Sequence, residues 1–464
     1  MTVGPVRMVA EKARSFWAAA AVYRERRVAI ILLLGFSSGL PLLLVYATLS
    51  AWLKESGVSL TAIGLFSWAS TAYAIKFLWS PLVDRWPLPV LARLLGQRRG
   101  WLVSAQVLTA LCMLGLGTSD PATDIATTAL WAVFLAFASA TQDIVIDAYR
   151  VESLDEHQQG AGAATYTFGY RLAMLASGAG ALIIAETAGW FAAYATMAGL
   201  MGIGFLTALM SPEPARKRTA ESIARERQIV EAVERFSHWP ARLRGFAAET
   251  YAAVICPFAD FMARPHWLMI LLFIALYKYG DALLGVMANP FYLDIGFSKS
   301  EIAVVSKFYG MAMTILGGLL GGMLAARYGI LKALLIGGVA QALSNLAFAA
   351  QAAVGYSVPM LTVTISIENF TGGIATIAFI AYLSSLCNIA YTATQFALLS
   401  SLMAFARTIF ASGGGWLADR MDWVSYFLLT TFAAVPGIIL LLWLIKKFPP
   451  EKPSAGPSSD PFET

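Results

Sequence analysis

Charged residues are scarce in this chain, where Asp, Glu, Lys and Arg make up 13% of 464 residues. An ordinary soluble domain carries about 25%, so the composition excludes a soluble globular enzyme. Apolar residues make up 58% of the chain. Because a bilayer-spanning helix uses about 20 residues, this share leaves room for roughly a dozen spans. We therefore expect an all-α polytopic membrane protein.

Cysteine and histidine are equally scarce, with three residues of each. The cysteines Cys112, Cys256 and Cys387 are scattered and lack the spacing of metal ligands, so we predict neither a disulfide nor a metal site. The chain also lacks the lysine that follows a glycine-rich turn in ATP-hydrolysing proteins. Its formal net charge is only +5. We interpret this excess of positive residues as a signal that sets the orientation in a membrane, and not as affinity for nucleic acid.

Long apolar stretches, each bounded by charged or turn residues, predict twelve membrane spans. Their approximate bounds are 28–52, 60–80, 100–117, 126–149, 161–186, 188–209, 267–292, 300–325, 331–352, 357–384, 389–416 and 424–445. The first stretch follows a basic segment, but it is about 25 residues long and has no small-residue cleavage site. We therefore expect a retained span and not a signal peptide.

Basic residues concentrate in the tails, in alternate loops and in one long hydrophilic stretch between spans six and seven. Because cytoplasmic segments carry an excess of Lys and Arg, this pattern predicts that both termini are cytosolic. Residues 219–236 of the long stretch space their apolar side chains as a helix does, which predicts an amphipathic surface helix. The expected domains are an N-terminal tail at 1–27, six-helix bundles at 28–209 and 267–446, a cytosolic linker at 210–266 and a disordered tail at 447–464.

The two predicted bundles look like copies of each other. Arg85 after span two matches Arg327 after span eight, and Arg171 in span five matches Arg407 in span eleven. Internal repeats of this kind are typical of secondary transporters, which bind substrate at the interface between the repeats.

Several charged residues fall inside the predicted spans, where a charge near the centre costs about 2.5 to 3.5 kcal/mol on insertion scales. Such residues persist when they face the interior of a bundle or a water-filled path. They are Lys76, Asp143, Asp147, Arg171, Lys278, Asp281, Lys307, Glu368 and Arg407. Spans three, six, nine and twelve have none in their interiors, so we expect every third helix to be free to face lipid.

Five motifs carry a resemblance to a known family. They are Leu34–Pro41 (LGFSSGLP), Lys76–Leu82 (KFLWSPL), Gln142–Ala148 (QDIVIDA), Gly169–Leu172 (GYRL) and Ala393–Ser400 (ATQFALLS). Together with the two six-helix halves, they resemble the AmpG-type muropeptide permeases of Gram-negative bacteria. These belong to the group of the major facilitator superfamily that also contains acetyl-coenzyme A transporters, and the resemblance runs from about residue 28 to 445.

The resemblance implies a major facilitator fold of twelve helices in two pseudo-symmetric halves, embedded in the bacterial inner membrane. It implies a non-enzymatic, proton-coupled import of N-acetylglucosaminyl-1,6-anhydro-N-acetylmuramyl peptides from periplasm to cytosol, by alternating access. That import serves peptidoglycan recycling and, in some organisms, β-lactamase induction and antibiotic resistance. The implied partners are the anhydromuropeptide, protons and membrane lipid, with the proton gradient in place of a cofactor and a monomer as the working unit.

Two alternatives remain open at this point. A transporter of another anionic solute, such as acetyl-coenzyme A, is the first. A membrane enzyme or signalling scaffold is remote, because enzymes usually gather their polar residues at one interface, whereas here they run through many spans at several depths.

Carboxylates are the candidates for proton coupling, because all three histidines fall in loops or at a membrane edge. Asp143 and Asp147 are four residues apart on one helical face, where two negative charges repel each other and favour a retained proton. A structural ion pair from Asp147 to Arg150, or to a cation on another helix, is the alternative. Asp281 and Glu368 are the further candidates, and a static pair between Lys278 and Asp281 is the alternative for the former.

Cations and polar groups in the membrane are the candidates for substrate binding, because a muropeptide carries several carboxylates that suit guanidinium groups. They are Tyr46, Lys76, Gln142, Tyr170, Arg171, Lys278, Asn369, Gln395 and Arg407. The arginines could instead hold helix interfaces, and the tyrosines could be interfacial anchors. The expected conformational hinge comprises Asp84, Arg85, Arg150 and Arg327.

Overall fold

The computed structural model describes residues 20–59, 62, 66, 71–214 and 255–448. Within these residues the regular elements are all helices, and ten helical stretches are long and apolar enough to cross a membrane. The expected all-α membrane fold is therefore confirmed. The predicted surface helix at 219–236 and most of both predicted tails lie outside the described residues.

The described part of the first half begins with a short 3-10 helix, Ala21–Arg24. The helices that follow are α1 (Arg26–Val45), α2 (Ala47–Glu55), α3 (Thr71–Ile75), α4 (Ser80–Arg85), α5 (Leu91–Leu95), α6 (Gln97–Thr118), α7 (Ile125–Ser153), α8 (Gln159–Leu175) and α9 (Ala181–Met210). The first predicted span comprises α1 and α2 and changes direction at Tyr46, whose φ of −109° and ψ of −100° are not helical. The second predicted span is described from Thr71 onward.

One stretch of helix, Glu156–Met210, is 55 residues long, more than twice the length of about 20 residues that a single span needs. It contains α8, a π-helical segment at Ala176–Gly180 and α9. Inside α9, Gly189 has a φ of 85°, which glycine adopts without a steric penalty. The chain leaves helical geometry there, next to the boundary predicted between spans five and six, so this stretch accounts for two predicted spans.

The second half repeats the pattern of long helices. They are α10 (Trp267–Leu276), α11 (Tyr279–Asp294), α12 (Lys299–Ile302), α13 (Gly310–Tyr328), α14 (Ile330–Val354), α15 (Val358–Ser385), α16 (Thr392–Ala418), α17 (Trp423–Ala433) and α18 (Val435–Lys447). The break between α10 and α11 lies at Lys278, whose φ of −104° and ψ of 17° are not helical. Interrupted helices of this kind free backbone groups near the middle of a bundle, where transporters bind their ligands.

Large apolar side chains cover the outside of the bundle. Leu111 of α6, Leu206 of α9, Leu343 of α14 and Ile439 of α18 are each more than half exposed. These helices correspond to predicted spans three, six, nine and twelve. Because a soluble protein would bury such side chains, their exposure fits the expectation that these four helices face lipid.

The two halves meet along α8 and α13, whose backbones approach closely. The carbonyl oxygen of Gly160 lies 2.9 Å from the place that a Cβ on Gly322 would take, so a side chain at either position would collide with the opposite helix. Both glycines lie toward the end of the bundle at which Met210 and Trp267 lie and from which the linker departs. We call this end the linker side; it is the predicted cytosolic side.

Candidate functional site

A cavity of about 1000 Å³ lies between the two halves. The first half contributes residues of α8, and the second half contributes residues of α11, α13, α14, α15 and α16. Six residues singled out from the sequence line it: Arg171, Lys278, Asp281, Glu368, Asn369 and Arg407. The structure therefore brings together side chains that are up to 236 positions apart in the chain.

Charged groups of both signs line this central cavity. Lys278 and Asp281 form an ion pair with 2.7 Å between Nζ and Oδ2, so the static pair considered from the sequence is present. Arg171 of the first half and Arg407 of the second half also line the cavity, and Glu368 is the second carboxylate. Three cations against two carboxylates leave a net positive charge, which favours an anionic ligand.

Neutral polar groups extend the row of hydrogen-bonding positions along the cavity wall. Asn369 donates from Nδ2 to Glu368 Oε2 at 2.8 Å, and Thr314 donates to Asn369 Oδ1 at 2.8 Å. Gln341 of α14 also lines the cavity and accepts a hydrogen bond from Thr371 at 3.2 Å. The sequence does not single out Thr314 and Gln341, because a neutral polar residue costs much less in a membrane span than a charged one and is therefore not conspicuous there.

Asp143 lies outside the central cavity, in a polar cluster inside the first half. Its carboxylate is buried and accepts a hydrogen bond from Ser38 of α1. The Ser38 hydroxyl also lies 2.8 Å from the hydroxyl of Tyr166 on α8. The cluster therefore ties α1, α7 and α8 together around one carboxyl group, with Ser38 and Tyr166 as members that the sequence analysis did not single out.

Asp147, one turn further along α7, lies between two cations. Its carboxylate oxygens are 3.5 Å from Lys76 Nζ and 3.7 Å from Arg150 Nη2. Arg150 is fully buried, donates from Nη1 to Ser384 Oγ of the second half at 2.9 Å, and lies 5.1 Å above the ring of Phe396. Asp147 is therefore linked through Arg150 to the opposite half of the molecule.

Five of the nine residues predicted to bind substrate do not line the central cavity: Tyr46, Lys76, Gln142, Tyr170 and Gln395. Gln142 is fully buried and donates to Ser37 Oγ at 3.2 Å. Gln395 donates to Pro257 O and Asp260 Oδ2 at 3.0 and 2.9 Å and accepts from the Asn388 backbone. The side chains of Gln142 and Gln395 are therefore engaged within the protein. A role in substrate binding stays a prediction for all five residues, and we build the proposed substrate site from the residues that line the cavity.

The predicted hinge residue Asp84 joins the two halves on the linker side. It is buried and accepts hydrogen bonds from the backbone and hydroxyl of Thr394, at the start of α16. Arg98 holds the same carboxylate at 2.6 Å and reaches Glu152 at 2.6 Å. The sequence does not single out Arg98 and Glu152, because charges at predicted helix ends are interpreted as signals of membrane orientation and not as members of a buried cluster.

The other hinge candidates differ in their surroundings. Arg150 joins the halves through Ser384, as described above, whereas Arg327 lies 5.1 Å over the ring of its neighbour Tyr328. Arg85 is half-buried beside Asp84. A further bond, from the Tyr23 hydroxyl to Leu319 O at 2.7 Å, also joins the halves. These contacts close the bundle on its linker side.

Comparison with known families gives two overlapping matches to the Major Facilitator Superfamily, over residues 30–291 and 268–463. The anhydromuropeptide permease of Escherichia coli strain K12 is 38% identical over 423 residues, which cover 91% of this chain and 80% of that protein. A Rickettsia conorii protein named "Putative transporter AmpG 4" is 35% identical over 428 residues, which cover 92% of this chain and 98% of that protein.

Two solved structures share the fold at low sequence identity. The proton:xylose symporter XylE superposes with a TM-score of 0.58 at 14% identity, over 94% of this chain and 96% of the symporter. The human organic anion transporter MFSD10 superposes with a TM-score of 0.52 at 17% identity, over 92% and 99% of the two chains. At these identities the likeness concerns the fold alone.

Proposed function

Because the chain belongs to the Major Facilitator Superfamily and is a homologue of anhydromuropeptide permeases, we propose that it imports anhydromuropeptides from the periplasm to the cytosol together with protons. As a member of this superfamily it is a multi-pass membrane transporter and not an enzyme. The proposal concerns the substrate, the coupling ion and the direction.

The observation that carries the proposal is the pair of arginines in the central cavity. Arg171 comes from the first half and Arg407 from the second, so an anionic ligand that binds both holds the halves together. A muropeptide offers several carboxylates to such groups, and guanidinium forks bind carboxylates through two parallel hydrogen bonds. The cavity of about 1000 Å³ lies at the upper end of ligand pockets, which suits a disaccharide peptide better than a single sugar.

The proton site in this proposal is the carboxylate pair Asp143 and Asp147, with Asp281 and Glu368 as further candidates. Neutralising Asp147 removes its attraction for Lys76 and Arg150, and Arg150 is the residue that bonds Ser384 across the halves. Protonation there would therefore weaken one linker-side contact, so that the loaded cavity opens toward the cytosol. Release of the proton would restore the contact and reset the cycle.

The orientation in the proposal has the linker side in the cytosol of a bacterium, with both termini inside. The basic character of the N-terminal tail and of the linker, and the two lysines Lys446 and Lys447 at the end of α18, support it, since positive residues stay on the cytoplasmic side. With the linker side closed, the proposal assigns access to the cavity to the periplasmic side, from which an importer receives its substrate.

The test is uptake of labelled anhydromuropeptide by liposomes that contain the purified protein alone. We expect accumulation when the outside is acidic, loss of accumulation when a protonophore is added, and no competition from excess acetyl-coenzyme A. The positive cavity would also suit another anionic solute, so uptake of acetyl-coenzyme A without uptake of muropeptide would replace the proposed substrate while leaving the transporter assignment in place.

A further inference from the structure

A second, smaller cavity lies on the linker side of the second half, away from the central cavity. Its volume is about 340 Å³, within the range of small-molecule pockets. The lining is almost entirely apolar and comes from the linker-side ends of four helices. Its apolar and aromatic side chains are Ile270, Leu331, Tyr382, Leu386, Leu444 and Phe448.

One charged residue, Arg264, lies in this lining. Its guanidinium group donates to the carbonyl oxygen of Leu386, lies 3.8 Å from Asp260 and stacks at 5.3 Å over the ring of Phe261. About a quarter of the Arg264 side chain remains exposed. Arg264 is therefore held at the rim of an apolar pocket, in contact with solvent or with a polar headgroup.

Further cations flank the pocket. Lys332 follows the lining residue Leu331, and Lys446 and Lys447 follow the lining residue Leu444; all three lysines are exposed. Lys447 is three positions after Leu444 and therefore on the same face of α18. With Asp260 as the carboxylate beside Arg264, the charges named here sum to net positive.

We propose that this cavity binds one acyl chain of an anionic phospholipid, whose headgroup is held by Arg264 and the flanking lysines. The pocket lies on α14 and α18, two helices whose exposed apolar side chains place them against lipid, so a chain can enter from the membrane. Basic pockets between helices on the cytoplasmic side of membrane proteins bind acidic headgroups. This inference goes beyond the proposed function, because it assigns a lipid site outside the transport path.

The segment that continues from Phe448, residues 449–464, is the competing occupant, because it begins beside the pocket. It carries one cation, Lys452, against the three carboxylates Glu451, Asp460 and Glu463, so its side chains have a net negative charge. An acidic segment of this kind would also be attracted to the cations at the rim. The experiment therefore needs a variant that lacks it.

Native mass spectrometry of the purified full-length protein tests the proposal, with phosphatidylglycerol and phosphatidylcholine of identical acyl chains as probes. We expect one phosphatidylglycerol to be retained in preference to phosphatidylcholine. The double substitution Lys446→Gln and Lys447→Gln should weaken phosphatidylglycerol binding about 25-fold, because each lysine near an anionic membrane surface contributes about 1 kcal/mol. Lys54→Gln, on the opposite side of the bundle, is the matched charge control and should leave binding unchanged.

A bulky residue inside the pocket tests the acyl-chain site independently of charge. Leu331→Trp should abolish the retained lipid, whereas Leu343→Trp, on the exposed face of the same helix, should not. Equal binding of the two lipids, or an unchanged stoichiometry in Leu331→Trp, would overturn the proposal. So would a gain of phosphatidylglycerol binding on deletion of residues 449–464, because the pocket would then belong to the chain's own tail.

Discussion

Asp84 of the first half caps a helix of the second half through Thr394. Its Oδ2 accepts hydrogen bonds from the backbone nitrogen of Thr394 at 2.8 Å and from the Thr394 hydroxyl at 2.6 Å. Its Oδ1 accepts from Arg98 at 2.6 Å. One buried carboxylate thus holds its own loop and the opposite half together, and its bonds to Thr394 require the linker side to be closed.

Asp84→Asn should shift the molecule toward opening on the linker side. Breaking one side of a buried ion pair costs about 3 to 5 kcal/mol, and part of that loss falls on the closed state. The measurement is the distance between spin labels at Arg93→Cys and Lys332→Cys in a background without native cysteines. Asp155→Asn, an exposed carboxylate on the same side that lies 3.8 Å from Arg27, is the control; equal distance distributions for the two variants would contradict the role of Asp84.

Asp143→Asn and Asp147→Asn should each abolish accumulation driven by a pH gradient. Neither amide can carry the proton, but both keep the size of the side chain, so exchange of substrate down its own gradient should persist. Uptake and counterflow assays in liposomes separate the two activities. Asp124→Asn, at the exposed start of the same helix α7, should retain both; full accumulation by Asp143→Asn and Asp147→Asn would move the proton site to Asp281 or Glu368.

Arg171→Lys should weaken uptake of the peptide-bearing muropeptide more than uptake of the peptide-free anhydro-disaccharide. Lysine keeps the charge but loses the planar fork, and a hydrogen bond to a charged group contributes about 1.5 to 3 kcal/mol, so KM for the peptide-bearing substrate should rise about tenfold or more. Arg420→Lys is the control, because Arg420 stacks on Trp416 outside the cavity.

Equal losses for the two substrates would contradict a role of Arg171 in binding the peptide carboxylates. The free lactyl carboxyl of the peptide-free disaccharide complicates the comparison, because it is itself an anion. Its carboxamide separates recognition of the sugar from recognition of that charge.

Gly322→Ala should destabilise the closed linker side. A methyl group there would lie 2.9 Å from the Gly160 carbonyl oxygen, and forcing extra volume into a packed contact costs about 1 to 3 kcal/mol. The same spin-label distance should lengthen, and uptake should fall. Gly199→Ala is the matched control, since a Cβ at Gly199 meets nothing within 4 Å; unchanged distances in Gly322→Ala would show that α13 can shift to accept the methyl group.

Hydropathy predicts most of the fold, because a long apolar stretch that crosses lipid has almost no alternative to forming a helix. The cost of charge in the membrane likewise singles out Arg171, Lys278 and Arg407, which meet in the central cavity. The cost of charge does not indicate which face of a helix a neutral residue occupies. The sequence therefore predicts Gln395 at the substrate and does not single out Gln341. The breaks at Tyr46 and Lys278 also escape hydropathy, because each position lies inside a stretch that hydropathy predicts as one span.

Most charged residues of the central cavity come from one half of the molecule, whereas the aspartate cluster comes from the other. Lys278, Glu368 and Arg407 of the cavity lie in the second half, whereas Asp143 and Asp147 belong to the first. Apart from the contact with Arg171, which the first half supplies, ligand choice can therefore change through substitutions in the second half while the energy source stays encoded in the first. A chimera that joins this first half to the second half of a relative with another cargo should inherit that cargo and still be driven by acidity.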